Sequence, residues 1–172
     1  MRLEKLFFYR ILPKVLLQVI MQNTTTEITR LDRELLDAAA EVLENAYAPY
    51  SNFYVGAALR TCDGQIITGT NFENAASPMC ICAEGAAVTA ANTRGERRFS
   101  AIAIIGRGKD VDSENIVSPC GSCRQILNEV AQSSQIDLSV IMSNSQKTII
   151  IKRPLSDLIP LAFGPEDLKV CT

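Results

Sequence analysis

Two short cysteine patterns, 38 positions apart, constrain this chain more than any other feature: Cys82-Ala83-Glu84 and Pro119-Cys120-Gly121-Ser122-Cys123. Each stands at the start of a segment whose composition or apolar spacing is helical, the Ala-rich run 82–92 and the run through Ile126, Leu127 and Val130. A helix start offers unpaired N–H groups and the positive end of the helix dipole, both of which favour thiolates. Taken alone, Cys-x-x-Cys leaves a redox pair, a metal half-site and chance occurrence open. With a second half-site present, the fold has to bring two helix N-termini together. Three thiolates from them can hold Zn²⁺ tetrahedrally and leave the fourth position for water, the arrangement of a catalytic rather than a closed structural zinc. Glu84, two residues past Cys82, can reach such a water. Zinc lowers the pKa of bound water towards 7, and the glutamate can then pass its proton to a substrate nitrogen. The alternative is that Glu84 is a solvated first-turn glutamate favoured by the helix dipole.

The surrounding elements predict an α/β fold. Leu31, Leu35, Ala38, Ala39, Val42 and Leu43 recur at helical spacing behind Thr29 or Asp32 as cap, and Ala48-Pro49-Tyr50-Ser51 ends that helix. Residues 54–59 and 66–70 read as two strands of a hairpin turning at Asp63-Gly64. After the helix over 82–92, residues 100–105 form a continuous apolar run suited to a buried strand, and 106–118 read as loop. A helix over 121–131, strands over 136–142 and 148–152, and a short helix after Pro154 complete the order αββαβαββα. That order predicts a five-stranded mixed sheet sandwiched by helices. Residues 1–21 stand apart as an N-terminal extension ahead of a domain over 22–172. The Pro13-Lys14 break in the extension's apolar run and the lack of a small-residue cleavage site argue against a secretory signal. Met21, just before the polar stretch and the first helix, is a plausible start of translation. A surface-binding or targeting role for the extension is the less favoured reading.

Composition removes whole classes of chemistry. The 172 residues contain no histidine, which excludes Ser-His-Asp, Cys-His and HExxH mechanisms. Seventeen Lys and Arg against nineteen Asp and Glu give a net charge of -2, without the positive excess that binding a nucleic-acid backbone requires. Uncharged apolar runs are far short of the roughly 20 residues of a membrane span. Six cysteines in a chain with a full apolar core point to metal or catalytic roles in a reducing cytoplasm rather than to a disulfide framework, Cys62 and Cys171 being incidental.

A glutamate two residues beyond a first ligand, followed by Pro-Cys-x-x-Cys, is the signature of zinc deaminases. Over about 35–168 the chain resembles cytidine deaminase of the small three-cysteine homotetrameric type. The resemblance rests on Tyr47-Ala48-Pro49-Tyr50-Ser51-Asn52-Phe53, Val55-Gly56-Ala57-Ala58-Leu59, Gly69-Thr70-Asn71-Phe72-Glu73-Asn74, both cysteine patterns with Arg124-Gln125, and Phe163-Gly164-Pro165-Glu166-Asp167-Leu168. It implies one zinc per chain on Cys82, Cys120 and Cys123, with Glu84 catalytic. It further implies that Asn71 and Glu73 bind ribose hydroxyls, that Phe53 packs near the base, that Ala83 offers backbone groups to the pyrimidine edge, and that Phe163 reaches a neighbour's site in a homotetramer. The implied reaction is hydrolytic deamination of cytidine and 2'-deoxycytidine in pyrimidine salvage. Phe53 and Phe163 as core residues and Asn71 as a strand-end turn residue are the rival readings, whereas Asn71 and Glu73, two apart, would share one face of a strand. A modified or non-standard cytosine nucleoside, as in blasticidin-type deaminases, and an inactive zinc-stabilised binding protein are the alternative functions. The chain departs from the family at Gly85, where arginine is usual, and in lacking the usual aromatic near Ser77. Gly85 is expected to serve tight packing or a wider pocket, with Arg124 the remaining nearby cation. Cys80 is expected to be a packed, apolar thiol rather than a ligand.

Overall fold

The computed structural model describes residues 27–112 and 114–168; the extension over 1–21 and Cys171 lie outside them. The elements are α1 (Arg30–Leu43), β1 (Phe53–Thr61), β2 (Ile66–Thr70), α2 (Ala83–Thr93), β3 (Phe99–Gly108), α3 (Gly121–Ser134), β4 (Ser139–Ser143), β5 (Ile150–Pro154) and α4 (Leu155–Leu158). The strands form one sheet in the order β2-β1-β3-β4-β5, with β3 and β4 parallel and the other neighbours antiparallel. This is the expected mixed five-stranded sheet with helices on both faces. Leu35, Leu36, Ala39 and Leu43 of α1 pack on one face against Ala58, Ala103, Ile105 and Ile141. Ala87 and Ala91 of α2 and Leu127 and Val130 of α3 pack on the other against Ala57, Leu59, Ile102, Ile104 and Val140. Two glycines set how close those layers come. A Cβ at Gly56 would stand 2.0 Å from the Ala39 carbonyl oxygen of α1, and one at Gly69 would stand 2.3 Å from the Ala87 nitrogen of α2.

Topology explains why two distant cysteine patterns meet. Because β2 and β3 are each antiparallel to β1, they run in the same direction, and the helices that follow them, α2 and α3, start at the same end of the sheet. The first residue of β1 arrives there too, since Phe53 pairs with Gly108 at the end of β3. Ligand sites of open α/β sheets form at this carboxyl end of the strands.

Local turn chemistry moved several element boundaries. β3 continues to Gly108 where loop was expected from 106, because it stays paired with β1 throughout. β4 begins at Ser139 rather than 136: Gln135 caps α3 in the left-handed region at φ 56°, and the Ile136 N–H still donates to Ala131. β5 begins at Ile150 rather than 148, because the Asn144 side chain accepts from the N–H groups of Thr148 and Ile149 and holds both in the turn.

Thr29 and Asp32, alternative caps in sequence, act together in a capping box at the start of α1. Asp32 also accepts from Lys152 of β5 at 2.9 Å, with side-chain exposures of only 3% and 16%. Burial alone would raise the Asp32 pKa, but the Lys152 ammonium and the Thr29 N–H and hydroxyl outweigh it and hold the carboxyl below its ordinary value. Asp32→Ala should cost about 3 kcal/mol in denaturant unfolding, since it removes a cap and leaves a largely buried ammonium unpaired. The sign with pH follows from a depressed folded pKa: the contribution is present above the unfolded carboxylate range and is lost as pH falls through the folded value. Wild-type and variant stabilities should therefore converge on acidification.

Candidate metal centre and cavity

Cys82 is the N-cap of α2 and Cys120 the N-cap of α3, so both half-sites are helix starts in the structure. The Cys120 sulfur accepts from the Cys123 N–H at 3.4 Å, and the sulfurs of Cys120 and Cys123 are also 3.4 Å apart. The Cys82, Cys120 and Cys123 sulfurs all lie within 4.8 Å of one another. Three thiolates on a tetrahedral zinc at about 2.3 Å stand roughly 3.8 Å apart, so the donor set fits that ion in spacing and in softness. Its protonation balance fits as well. Burial, the Glu84 charge and the neighbouring thiols push the Cys123 thiol far up, and burial raises Cys82. At Cys120, N–H groups of α3 and the partner thiols outweigh burial and lower the pKa. A divalent cation is what allows three such thiols to ionise together. The described cysteines are all free thiols.

Glu84 lies in the first turn of α2 and is 4% exposed, which rules out the solvated first-turn reading. Burial raises its pKa, and its own N–H and the adjacent Cys123 thiol only partly offset that. The carboxyl faces a cavity of about 300 Å³ whose walls include Phe53, Val55, Asn71, Phe72, Glu73 and Val117. Cys82, Ala83 and Cys120 line it too, so the metal cluster, the carboxyl and the expected sugar-side residues share one space.

Asn71 and Glu73 are held more elaborately than a strand face would hold them. β2 stops at Thr70, and Phe72 continues as single bridges to Tyr47 and Ile81, so Phe72 also joins the cavity wall. The Asn71 amide donates to the Phe53 carbonyl at 2.9 Å and its oxygen accepts from the Val55 N–H at 2.8 Å, the bracing of a strand end. Among the described residues one amide hydrogen and one lone pair remain to it. Glu73 Oε2 accepts from the N–H groups of Tyr50 at 2.8 Å and Ser51 at 3.2 Å. The Ser51 side chain foremost, and these N–H groups with it, keep the Glu73 pKa below its usual value. Phe53, 38% exposed, stands at the cavity rather than in the core. Phe163, 60% exposed, does not line this chain's own cavity; its carbonyl accepts from Gln125 and Asn128.

Two expectations are corrected, for Cys80 and for the packing role of Gly85. Cys80 is an exposed residue on the cavity wall, not a packed thiol: its sulfur accepts from the Asn74 N–H at 3.3 Å. Gly85 is not required by packing, since an added Cβ would meet only Ile126 at 3.7 Å and Ile81 at 3.9 Å, ordinary contacts. Arg124 donates to the carbonyls of Pro119 and Leu158, both at 2.9 Å, so its hydrogen bonds go to backbone oxygens and not to the thiols. Gly85→Ala should therefore stabilise α2 by about 0.5–1 kcal/mol in unfolding of the metal-loaded protein, the usual gain where the alanine fits.

Residues 29–137 match the model of the cytidine and deoxycytidylate deaminase zinc-binding region. A cytidine deaminase from Halalkalibacterium halodurans is 40% identical over 139 residues, covering 80% of this chain and 98% of that protein. A Blasticidin-S deaminase from Bacillus cereus is 32% identical over 142 residues, covering 81% of this chain and 96% of that protein. The crystal structure of cytidine deaminase from Burkholderia pseudomallei is similar with a TM-score of 0.68 and 40% identity, covering 76% of this chain and 98% of that one.

Proposed function

The chain belongs to the cytidine and deoxycytidylate deaminase zinc-binding family, and on that premise we propose that it converts cytidine and 2'-deoxycytidine to uridine and 2'-deoxyuridine with release of ammonia. The observation that carries this is a buried carboxyl beside a three-thiol cluster in a cavity whose other wall holds Asn71 and Glu73. Cys82, Cys120 and Cys123 would hold the zinc, which would supply Lewis acidity to water at neutral pH. Glu84 takes up a proton from the attacking water, delivers it to N3 of the cytosine ring and then carries a proton to the departing amine. Phe53, Phe72 and Val117 give apolar walls for a planar ring, and Ala83 offers backbone groups at its polar edge. Glu73 and Asn71 take the sugar hydroxyls. Among the described residues no Lys or Arg lines the cavity, whereas Glu73 and Glu84 do, so a neutral nucleoside suits it better than a phosphorylated nucleotide.

The decisive experiment measures ammonia release by the zinc-loaded protein across cytidine, 2'-deoxycytidine, 2'-deoxycytidine 5'-monophosphate and blasticidin S. Turnover of the two free nucleosides well above the other two is expected. Preference for blasticidin S, a substrate class motivated by the Bacillus cereus relative, would overturn the nucleoside assignment, and no turnover would favour a zinc-stabilised binding protein.

The functional unit is a cytoplasmic homotetramer serving pyrimidine salvage, with Phe163 completing a neighbour's site; its exposure and its absence from this chain's cavity support that reading. The domain over 22–172 is the catalytic part. Protein beginning at Met21 should fold, assemble and deaminate like the full chain. An insoluble or inactive truncated form would make residues 1–20 part of the fold, and an active monomer in sizing experiments would remove the shared site.

A further inference from the structure

The turn before β1 gathers the sugar side of the cavity around one side chain that neither the zinc chemistry nor the family signature assigns. Asn52 adopts a left-handed conformation at φ 53°, with its N–H donating to the Ala48 carbonyl, which folds Ser51 back over the start of β1. There the Ser51 hydroxyl oxygen accepts from the Phe53 N–H at 3.0 Å. The Ser51 N–H donates to Glu73 Oε2 at 3.2 Å, beside the bond from Tyr50 at 2.8 Å. Both backbone donors land on Oε2 rather than on the other carboxylate oxygen. The same two segments are tied again where the Glu73 N–H donates to the Tyr47 carbonyl at 2.8 Å and the Asn71 amide donates to the Phe53 carbonyl.

We propose that Ser51 is a positioning residue for the sugar subsite, fixing the Glu73 carboxylate and the Phe53 end of β1 in one arrangement before a nucleoside binds. This rests on the reading of the cavity as a nucleoside site with Glu73 on the sugar. An ionised carboxylate that already accepts two backbone N–H bonds is oriented, and it meets a ligand hydroxyl without losing side-chain freedom on binding. The Ser51 hydroxyl oxygen satisfies the Phe53 N–H and so ties the turn that carries both N–H donors of Glu73 to the start of β1. Removing it leaves the Tyr50 and Ser51 N–H bonds in place but frees the turn to shift relative to the carboxylate. The expected consequence falls on sugar binding and not on the chemistry at the ring.

The test uses full-length, zinc-loaded wild-type protein, Ser51→Ala and Ser51→Thr, each assayed on cytidine and on 2',3'-dideoxycytidine, which lacks the hydroxyls Glu73 would meet. Ser51→Ala should raise KM for cytidine about tenfold with kcat within about twofold, change kcat/KM for the dideoxynucleoside by less than about twofold, and be rescued by Ser51→Thr. An equal loss on both nucleosides, a loss confined to kcat, or no loss would overturn the proposal. Should Ser51→Ala not fold, Ser51→Cys keeps the side-chain volume with a weaker acceptor and must show the same substrate-dependent split. Wild-type protein inactive on both nucleosides would overturn the nucleoside reading and this proposal with it.

Discussion

Glu84→Gln is expected to keep its zinc and its fold while losing about a thousandfold in kcat on cytidine. The amide has almost the same shape as the carboxyl, and the position is 4% exposed, so the cavity wall is preserved. What disappears is the only function the wild-type side chain has there that an amide lacks, the capacity to take up and release a proton. Positioned general acid–base groups contribute roughly 10²–10⁴-fold, and Glu84 is asked to act at two stages, at ring N3 and at the departing amine. Stability should not fall with activity. Burial makes the carboxylate form unfavourable at this position, so a neutral side chain of equal size should leave the unfolding temperature equal to or above that of the wild type. The measurements are ammonia release, zinc content and thermal unfolding on the same preparations. Turnover near the wild-type level would remove Glu84 from proton transfer. A thousandfold loss accompanied by loss of zinc would make it a support of the metal cluster instead.

What could be read from the chain and what could not divide along a physical line. Helix starts, strand alternation and the turn at Asp63-Gly64 depend on residues close in sequence, and these placed Cys82 and Cys120 at the first residues of two helices. Their convergence required one more step, that β2 and β3 run in the same direction on either side of β1. The misplaced starts of β4 and β5 come from Gln135 and Asn144, whose cap and turn bonds remove two or three residues from strands that apolar pattern alone would extend. In its local pattern the turn over Tyr50 and Ser51 reads as a helix breaker and its tie to Glu73 is hidden, because the bonds to Glu73 span 23 and 22 residues and no periodicity reports a side chain meeting a distant backbone. Cys80 differs for a related reason: a cysteine between apolar residues reads as core, whereas here it lines the cavity with its thiol turned to the Asn74 N–H. Gly85 gave the opposite error. Glycine beside a catalytic group suggested close packing, and the space around it is open enough for a side chain.

Replacing Cys82, Cys120 or Cys123 by alanine should abolish stoichiometric zinc, whereas Cys80→Ala should retain one zinc per chain. The sulfurs within 4.8 Å of one another are those of Cys82, Cys120 and Cys123, and the Cys80 sulfur is instead bonded to Asn74. Two sulfur ligands remaining on two helix starts hold the metal far more weakly than three, and the folding free energy it contributes is lost with it. A ligand present at about 100 times its dissociation constant stabilises the native state by about 2.7 kcal/mol, and structural zinc sites contribute considerably more. The three variants should differ in how much they lose beyond the metal. Cys123 is 2% exposed on the buried side of α3, so its truncation also opens a small cavity, while Cys82 and Cys120 are exposed and should lose little packing. Chelator treatment sorts the two contributions: wild-type protein stripped of zinc should unfold close to Cys82→Ala and Cys120→Ala, with Cys123→Ala lower still. Zinc content by elemental analysis, paired with denaturant unfolding with and without chelator, reads both. Full zinc in Cys82→Ala together with its loss in Cys80→Ala would move the first ligand two residues upstream. Because Cys82 is the N-cap of α2 and Cys80 lies two residues before it, that result would also uncouple Glu84 from the metal, since the carboxyl's place beside the cluster depends on ligand and glutamate sharing the first turn of one helix.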